Sequence, residues 1–214
     1  MKFFSCVHQF KFTWDQVAGC YWNRYPNPNS THVLSEDVIS RHIGKDGCLY
    51  STRLVTKTNS LPKWGEKFVP GGTKHVHVIE ESIINPKKKT MITYTKNIGL
   101  TKVMSIEERC EYCPSESNPA QTECQKSAWI DSGLPAVGFA ISNFGYQRFK
   151  RNAAKASEGF EFVLNTFYGV TPEATARSAA SKAVMLKKEK FKETAEKAKD
   201  LAKSKAAAVL VTKA

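Results

Sequence analysis

Nowhere does this chain hold the roughly 18 consecutive apolar residues that a helix needs to cross a bilayer, which excludes a helical membrane span. A Gly-x-Ser-x-Gly elbow, a P-loop, a GxGxxG turn and a His-Glu-x-x-His pair are all missing, so the reactions built on those geometries have no anchor. Histidine is sparse at five. His75 and His77 share a strand face without a third ligand nearby, and His8, His32 and His42 stand alone. Of the six cysteines, Cys6, Cys20 and Cys48 are scattered, while Cys110, Cys113 and Cys124 lie close in sequence. Cys110-x-x-Cys113 is followed by no second pair, and it falls in a strand-like segment where residues three apart point to opposite faces. Reduced thiols are therefore expected rather than a zinc site or a catalytic disulfide. The first ten residues read as a strand. They have neither the apolar centre of a secretory signal nor the Arg/Ser-rich amphipathic character of a transit peptide, so these physical grounds alone point to the cytosol.

The chain does have apolar material and positive charge. At 214 residues, with 41% hydrophobic and 11% aromatic side chains, it suits one globular domain plus an appendage. The formal charge is +12. Residues 1–170 carry 21 basic and 15 acidic groups, and 171–214 carry 11 and 5, so the short tail holds half of the excess. Such a balance favours anionic partners: nucleic acid, an acidic membrane surface or an anionic small molecule.

Thr13 followed by Gln16 opens a helix with a capping box. Trp14, Val17, Ala18, Tyr21, Trp22 and Tyr25 recur on it at helical spacing, and Pro26 and Pro28 stop it. Strands are expected at 32–42, 49–58, 75–84, 91–97, 102–113 and 121–131, separated by turn signals such as Lys45-Asp46-Gly47 and Asn85-Pro86-Lys87. Consecutive strands with short turns indicate an antiparallel meander. Residues 61–72 read as an irregular loop or short helix. A single helical pattern then runs from 135 to 168, longer than an ordinary globular helix. A long helix against a curved antiparallel sheet gives an α+β, grip-like fold with a cavity where the two do not quite meet. A linker is expected at 168–172. Beyond it the Ala/Lys/Glu-rich stretch 173–214 suits a solvated or conditional helix.

On the long helix Val137, Ile141 and Phe144 form a stripe that continues as Arg148, Asn152 and Lys155. An inward stripe that changes from apolar to basic would suit an amphipathic anion. Alternatively the inward face rotates and leaves Arg148 and Lys155 in water. Arg24, at the end of the aromatic helix, points either into the core, where it needs an anionic partner, or into water, where it serves the helix dipole. Lys57 ends a strand. Lys87-Lys88-Lys89, Arg148-Phe149-Lys150-Arg151 and the tail leave nucleic-acid binding as an alternative, without a recognition motif.

Asn23-Arg24-Tyr25-Pro26-Asn27-Pro28, followed by His32-Val33-Leu34-Ser35, resembles the signature of the PRELI-like (PRELI/slowmo) family. So do Thr52-Arg53-Leu54-Val55-Thr56-Lys57 with Leu61-Pro62-Lys63-Trp64, the Asn85-Pro86 turn with Thr90-Met91, and Glu107-Glu108-Arg109. With Arg148-Phe149 and Asn152 these motifs occur in order across about residues 1–168. Glu107-Glu108-Arg109-Cys110, the Trp64 segment and the tail bring the chain nearer the PRELI branch. The tail is also similar to late-embryogenesis-abundant repeats.

The resemblance implies a START-like helix-grip fold enclosing a lipid cavity in residues 1–170, and a non-enzymatic carrier in the mitochondrial intermembrane space that needs no cofactor. It implies phosphatidic acid as the ligand, carried from the outer to the inner membrane for cardiolipin synthesis, or phosphatidylserine if the slowmo branch applies. A small twin-cysteine-motif protein is implied as heterodimer partner, and anionic membranes as docking surfaces, with no nucleic acid. The family's head-group positions fall on Arg24, His32, Lys57, Arg148, Asn152 and Lys155. Its membrane-contacting lid falls on Leu61, Lys63, Trp64, Lys67 and Phe68. Ser60 departs from relatives that carry a further basic residue there.

Overall fold

The computed structural model describes residues 1–58 and 75–169, and the expected lid at 61–72 and tail at 171–214 lie outside the described residues. The chain forms two units, Met1–Leu164 and Asn165–Ala214. In chain order the elements are β1 (Lys2–Phe10), α1 (Trp14–Cys20), 3-10 turns at Tyr21–Asn23 and Pro28–Ser30, β2 (Val33–Ile43), β3 (Leu49–Thr58), β4 (His75–Asn85), β5 (Thr90–Asn97), β6 (Ser105–Pro114), β7 (Thr122–Asp131) and α2 (Gly138–Tyr168). One seven-stranded antiparallel sheet holds them in the order β1-β7-β6-β5-β4-β3-β2, so strands two to seven form the expected meander and β1 closes it against β7.

Strand ends shift by up to three residues from expectation, β6 the most, and two helix boundaries differ as well. The first helix is α-helical only to Cys20 and tightens into a 3-10 turn before the Tyr25–Pro26 peptide, which is cis. The long helix starts at Gly138 rather than at 135, because Ala136 takes a positive φ of 63°, incompatible with a right-handed helix.

The Thr13 side chain accepts from the Gln16 amide while Gln16 reaches back to the Thr13 amide, so α1 begins with the full reciprocal cap. The indole N–H of Trp14 donates to the Tyr112 carbonyl at 3.2 Å, fastening α1 to β6. Around this point Phe10, Val17, Tyr21, Met91, Phe160 and Leu164 form one apolar cluster. A second cluster gathers Phe4, Ala128, Ile130 and Ala153 with Met104 and Phe149 against it. Each fully buried large side chain contributes about 1.5–3 kcal/mol; Met91 and Leu164 are both at 0% exposure.

Two glycines let α2 approach its neighbours. A Cβ on Gly145 would stand 2.4 Å from the Met104 sulfur, and one on Gly159 would stand 2.4 Å from the Asn27 side-chain oxygen. They lie 14 residues apart, close to four helical turns, and so occupy one face.

Candidate functional site

Alternation along a strand sends every second residue to the concave face. On β4 that face bears Val78, Glu80, Ser82 and Ile84, all buried. The cross-strand partners of Glu80 are Arg53 on β3 and Thr95 on β5; Thr95 in turn pairs with Glu108 on β6, and Glu108 with Ala128 on β7. A transverse row of polar and charged residues therefore spans β3 to β6, and it gives way to apolar Ala128 and Phe4 on β7 and β1.

The charges in this row are paired. Arg53 donates to Glu80 through Nε at 3.1 Å and Nη2 at 2.5 Å, and through Nη1 to Glu36 at 2.6 Å. Arg24 pairs with the other oxygen of Glu80 through Nη2, and its Nη1 donates to the Tyr21 carbonyl at 3.2 Å. The Arg24 guanidinium also lies over the rings of Tyr21 and Tyr25, with its Cζ 4.1 and 4.8 Å from their centroids. Burial by itself would raise the Glu80 pKa, but Arg24 and Arg53 outweigh it and hold the carboxyl below its ordinary value. Glu36, with less help, is pushed up by its burial. Two arginines and two glutamates make this network neutral.

A second pair, of buried Lys126 with half-buried Glu108, sits farther along the same face. Lys126 reaches Glu108 at 2.7 Å. Burial opposes the ammonium, yet Glu108 prevails and raises the Lys126 pKa well above its ordinary value. The Cys110 thiol donates to Glu108 at 3.3 Å beside this pair. Cys113, the Cys-x-x-Cys mate of Cys110, lies only partly buried on β6, and both thiols are free. Among the described residues no group of three or more His, Cys, Asp or Glu could hold a metal ion.

Two of the expected head-group residues are neighbours: Lys57 pairs with Val33 across β3 and β2, and the adjacent His32 carbonyl accepts from the Thr58 amide at 2.8 Å. His32 is pushed below its ordinary pKa by burial and then by the charges of Lys57 and Arg148. The Lys57 charge acts as well on Tyr25, Glu36 and Glu108. Arg24, the fourth, faces inward with Glu80 as its anionic partner.

Along α2 the buried stripe passes through Ile141, Gly145, Ala153, Phe160 and Leu164. Phe144 and Arg148 lie at its margin, half-buried, and Asn152 and Lys155 are exposed. The inward face thus rotates away from the expected apolar-to-basic stripe. The same flank of the helix borders the turn after Arg24: Asn29 donates to the Lys155 carbonyl at 3.3 Å and to Glu158 at 3.2 Å.

Sequence reasoning misses Glu80, Glu36 and Lys126, and it gives neither Arg53 nor Glu108 a role. A signal is available for three of these five. Glu80 has the same parity as Val78 and Ile84, Arg53 the same as Val55, and Lys126 the same as Ala128, so each charge occupies a core position of an alternating strand.

Comparison with known proteins places this geometry. The model of the PRELI-like family matches residues 15–169. The human protein named PRELI domain-containing protein 1, mitochondrial, is 45% identical over 194 residues, covering 90% of this chain and 87% of its own. Protein UPS1, mitochondrial, of Saccharomyces cerevisiae is 35% identical over 161 residues, covering 74% and 90%. The crystal structure of TTHA0849 from Thermus thermophilus superposes with a TM-score of 0.54 at 12% identity, covering 78% of this chain and 99% of that one, a likeness of fold alone. The fold is the START-like helix-grip, a curved antiparallel sheet with a long C-terminal helix. By its matched length and by the identity of its relatives, the chain belongs to the PRELI-like family.

Proposed function

We propose that this protein carries a single phospholipid between mitochondrial membranes, with phosphatidic acid as its ligand, from the outer to the inner membrane in support of cardiolipin synthesis. The observation that carries the reading is the charged row across the concave face. A domain that only needed to fold would fill this position with aliphatic side chains, because a buried ion pair is commonly no more stable than well-packed apolar residues. Polar groups between two apolar clusters suit an amphipathic guest. Two acyl chains hold roughly 30 methylenes, so at ~0.8 kcal/mol each about 24 kcal/mol opposes their passage through water. A protein that covers the chains removes most of that barrier.

The phosphate needs charge-assisted donors. Lys57 and Arg148 supply an electropositive seat, with His32 beside Lys57 as a neutral hydrogen-bonding group and Arg24 at its inner side offering a planar fork; Asn152 and Lys155 line the outer flank of the helix. Leu61, Trp64 and Phe68 would enter the membrane interface, with Lys63 and Lys67 drawn to anionic lipid. In this reading residues 1–170 form the lipid domain and 171–214 a basic appendage. The compartment is the intermembrane space, in keeping with relatives named mitochondrial, and a small helical protein with twin cysteine motifs is the heterodimer partner. The test is extraction and mass spectrometry of lipid from the purified complex. Phosphatidic acid in stoichiometric amount supports the assignment, phosphatidylserine would move the chain to the other branch, and a lipid-free preparation that retains RNA would overturn it.

A further inference from the structure

We infer that Glu80 is a built-in counter-anion that occupies Arg24 while no lipid phosphate is present and surrenders it when one arrives, so that Glu80 sets the rate of lipid release. The inference rests on the carrier reading above and deepens it. Glu80 is held from two sides. Arg53 takes Oε1 through two donors, at 3.1 and 2.5 Å, and Arg24 takes Oε2. The Arg24 contact can therefore open while Glu80 stays charge-paired to Arg53. The two arginines also differ in access: the Arg53 side chain is 3% exposed and that of Arg24 12%, so Arg24 is the one an arriving ligand can reach. The rings of Tyr21 and Tyr25, 4.1 and 4.8 Å from the Arg24 Cζ, help to hold the guanidinium in place when its carboxylate partner changes.

The charge count gives the arrangement its consequence. Arg24, Arg53, Glu36 and Glu80 sum to zero, so a phosphate gains little at Arg24 unless a carboxylate withdraws. Exchange of carboxylate for phosphate keeps the buried guanidinium paired throughout, which avoids the cost of a buried lone charge. An internal competitor also lowers the ligand's apparent affinity by the fraction of molecules in which it leaves the site open. A carrier benefits from that weakening, because it must let go at the acceptor membrane.

The experiment uses the full-length chain with its partner and donor vesicles of phosphatidylcholine containing phosphatidic acid or, separately, diacylglycerol. Retention after gel filtration and the rate of transfer to acceptor vesicles are measured for wild type, Glu80→Gln and Glu80→Asp. Glu80→Gln keeps a hydrogen-bonding group but loses the charge; it is expected to retain phosphatidic acid on the order of tenfold more tightly, as removal of a competitor that occupies about nine sites in ten gives, and, because Glu80 displaces the phosphate, to release it more slowly. Glu80→Asp restores the charge and moves the rate back toward wild type, and diacylglycerol, which has no phosphate, responds to neither substitution. Wild-type dissociation of phosphatidic acid from a folded Glu80→Gln protein overturns the inference, as does an equal change for both lipids. Should Glu80→Gln not fold, Glu36→Gln removes charge from the far side of Arg53 and draws Glu80 toward Arg53; slowed release supports the inference and unchanged release overturns it. If wild type takes up no phospholipid, it is the carrier reading that fails, independently of Glu80.

Discussion

Arg53 and Glu80 stand directly opposite one another on β3 and β4, and their side chains meet at 2.5 Å with only 3% of either exposed. Breaking such a pair strands a charge in the interior, which costs about 3–5 kcal/mol. Arg53→Met is expected to lower stability by that order, because Glu36 loses its guanidinium partner and Glu80 keeps only Arg24. Urea denaturation measures it directly. A midpoint equal to wild type would show that the pair contributes nothing in solution.

The same network gives the protein an acid limit. Glu80 and Glu108 both titrate below their ordinary value of 4.5, since neighbouring cations outweigh their burial. A carboxylate with a lower pKa folded than unfolded adds stability above the unfolded value, and this is lost as pH falls toward the folded one. Glu36, shifted upward, works in the opposite direction and offsets part of the loss. Melting temperature is expected to fall as pH drops below about 4.5, and less steeply in Glu108→Gln. A variant with the wild-type slope would mean that Glu108 is not paired with Lys126.

The architecture was largely legible in the sequence because its signals are local. Thr13 and Gln16 announce their helix by spacing, and period-two runs place every strand to within three residues of where it lies. The site was harder to read, since pairing across strands is not local. Arg24 and Glu80 are 56 residues apart, and nothing near Arg24 says which carboxylate will meet it. The helical stripe misled for a different reason. Projection at 100° per residue fixes which residues share a face but not which face turns inward. Gly145 and Gly159 decide that here, because only glycine permits the close approach to Met104 and Asn27.

Gly159 is accordingly a sensitive position. Asn27 uses both ends of its amide, donating to the Arg24 carbonyl at 2.7 Å and accepting from the Asn29 amide at 3.0 Å. A methyl at residue 159 would collide with that amide and disturb the turn that carries Arg24. Gly159→Ala is expected to destabilise the fold by about 1–3 kcal/mol despite the better helix propensity of alanine. Thermal melting provides the measurement, and a rise in Tm would mean that Asn27 can move aside at little cost.

Lys57 and Lys155 separate an inner from an outer contribution to phosphate recognition. Lys57 is half-buried, and its charge is felt by His32, Tyr25 and Glu36, whereas Lys155 is exposed on the flank of α2. A cation removed from water acts more strongly on a phosphate than one that salt and solvent screen. Lys57→Ala is therefore expected to reduce phosphatidic acid transfer between liposomes by on the order of tenfold, equivalent to about 1.4 kcal/mol. Lys155→Ala should cost less and lose most of its effect as salt is raised. Transfer assays at two ionic strengths distinguish the two. Equal losses with equal salt dependence would mean that the head group rests on the outer flank of the helix and not at the inner seat.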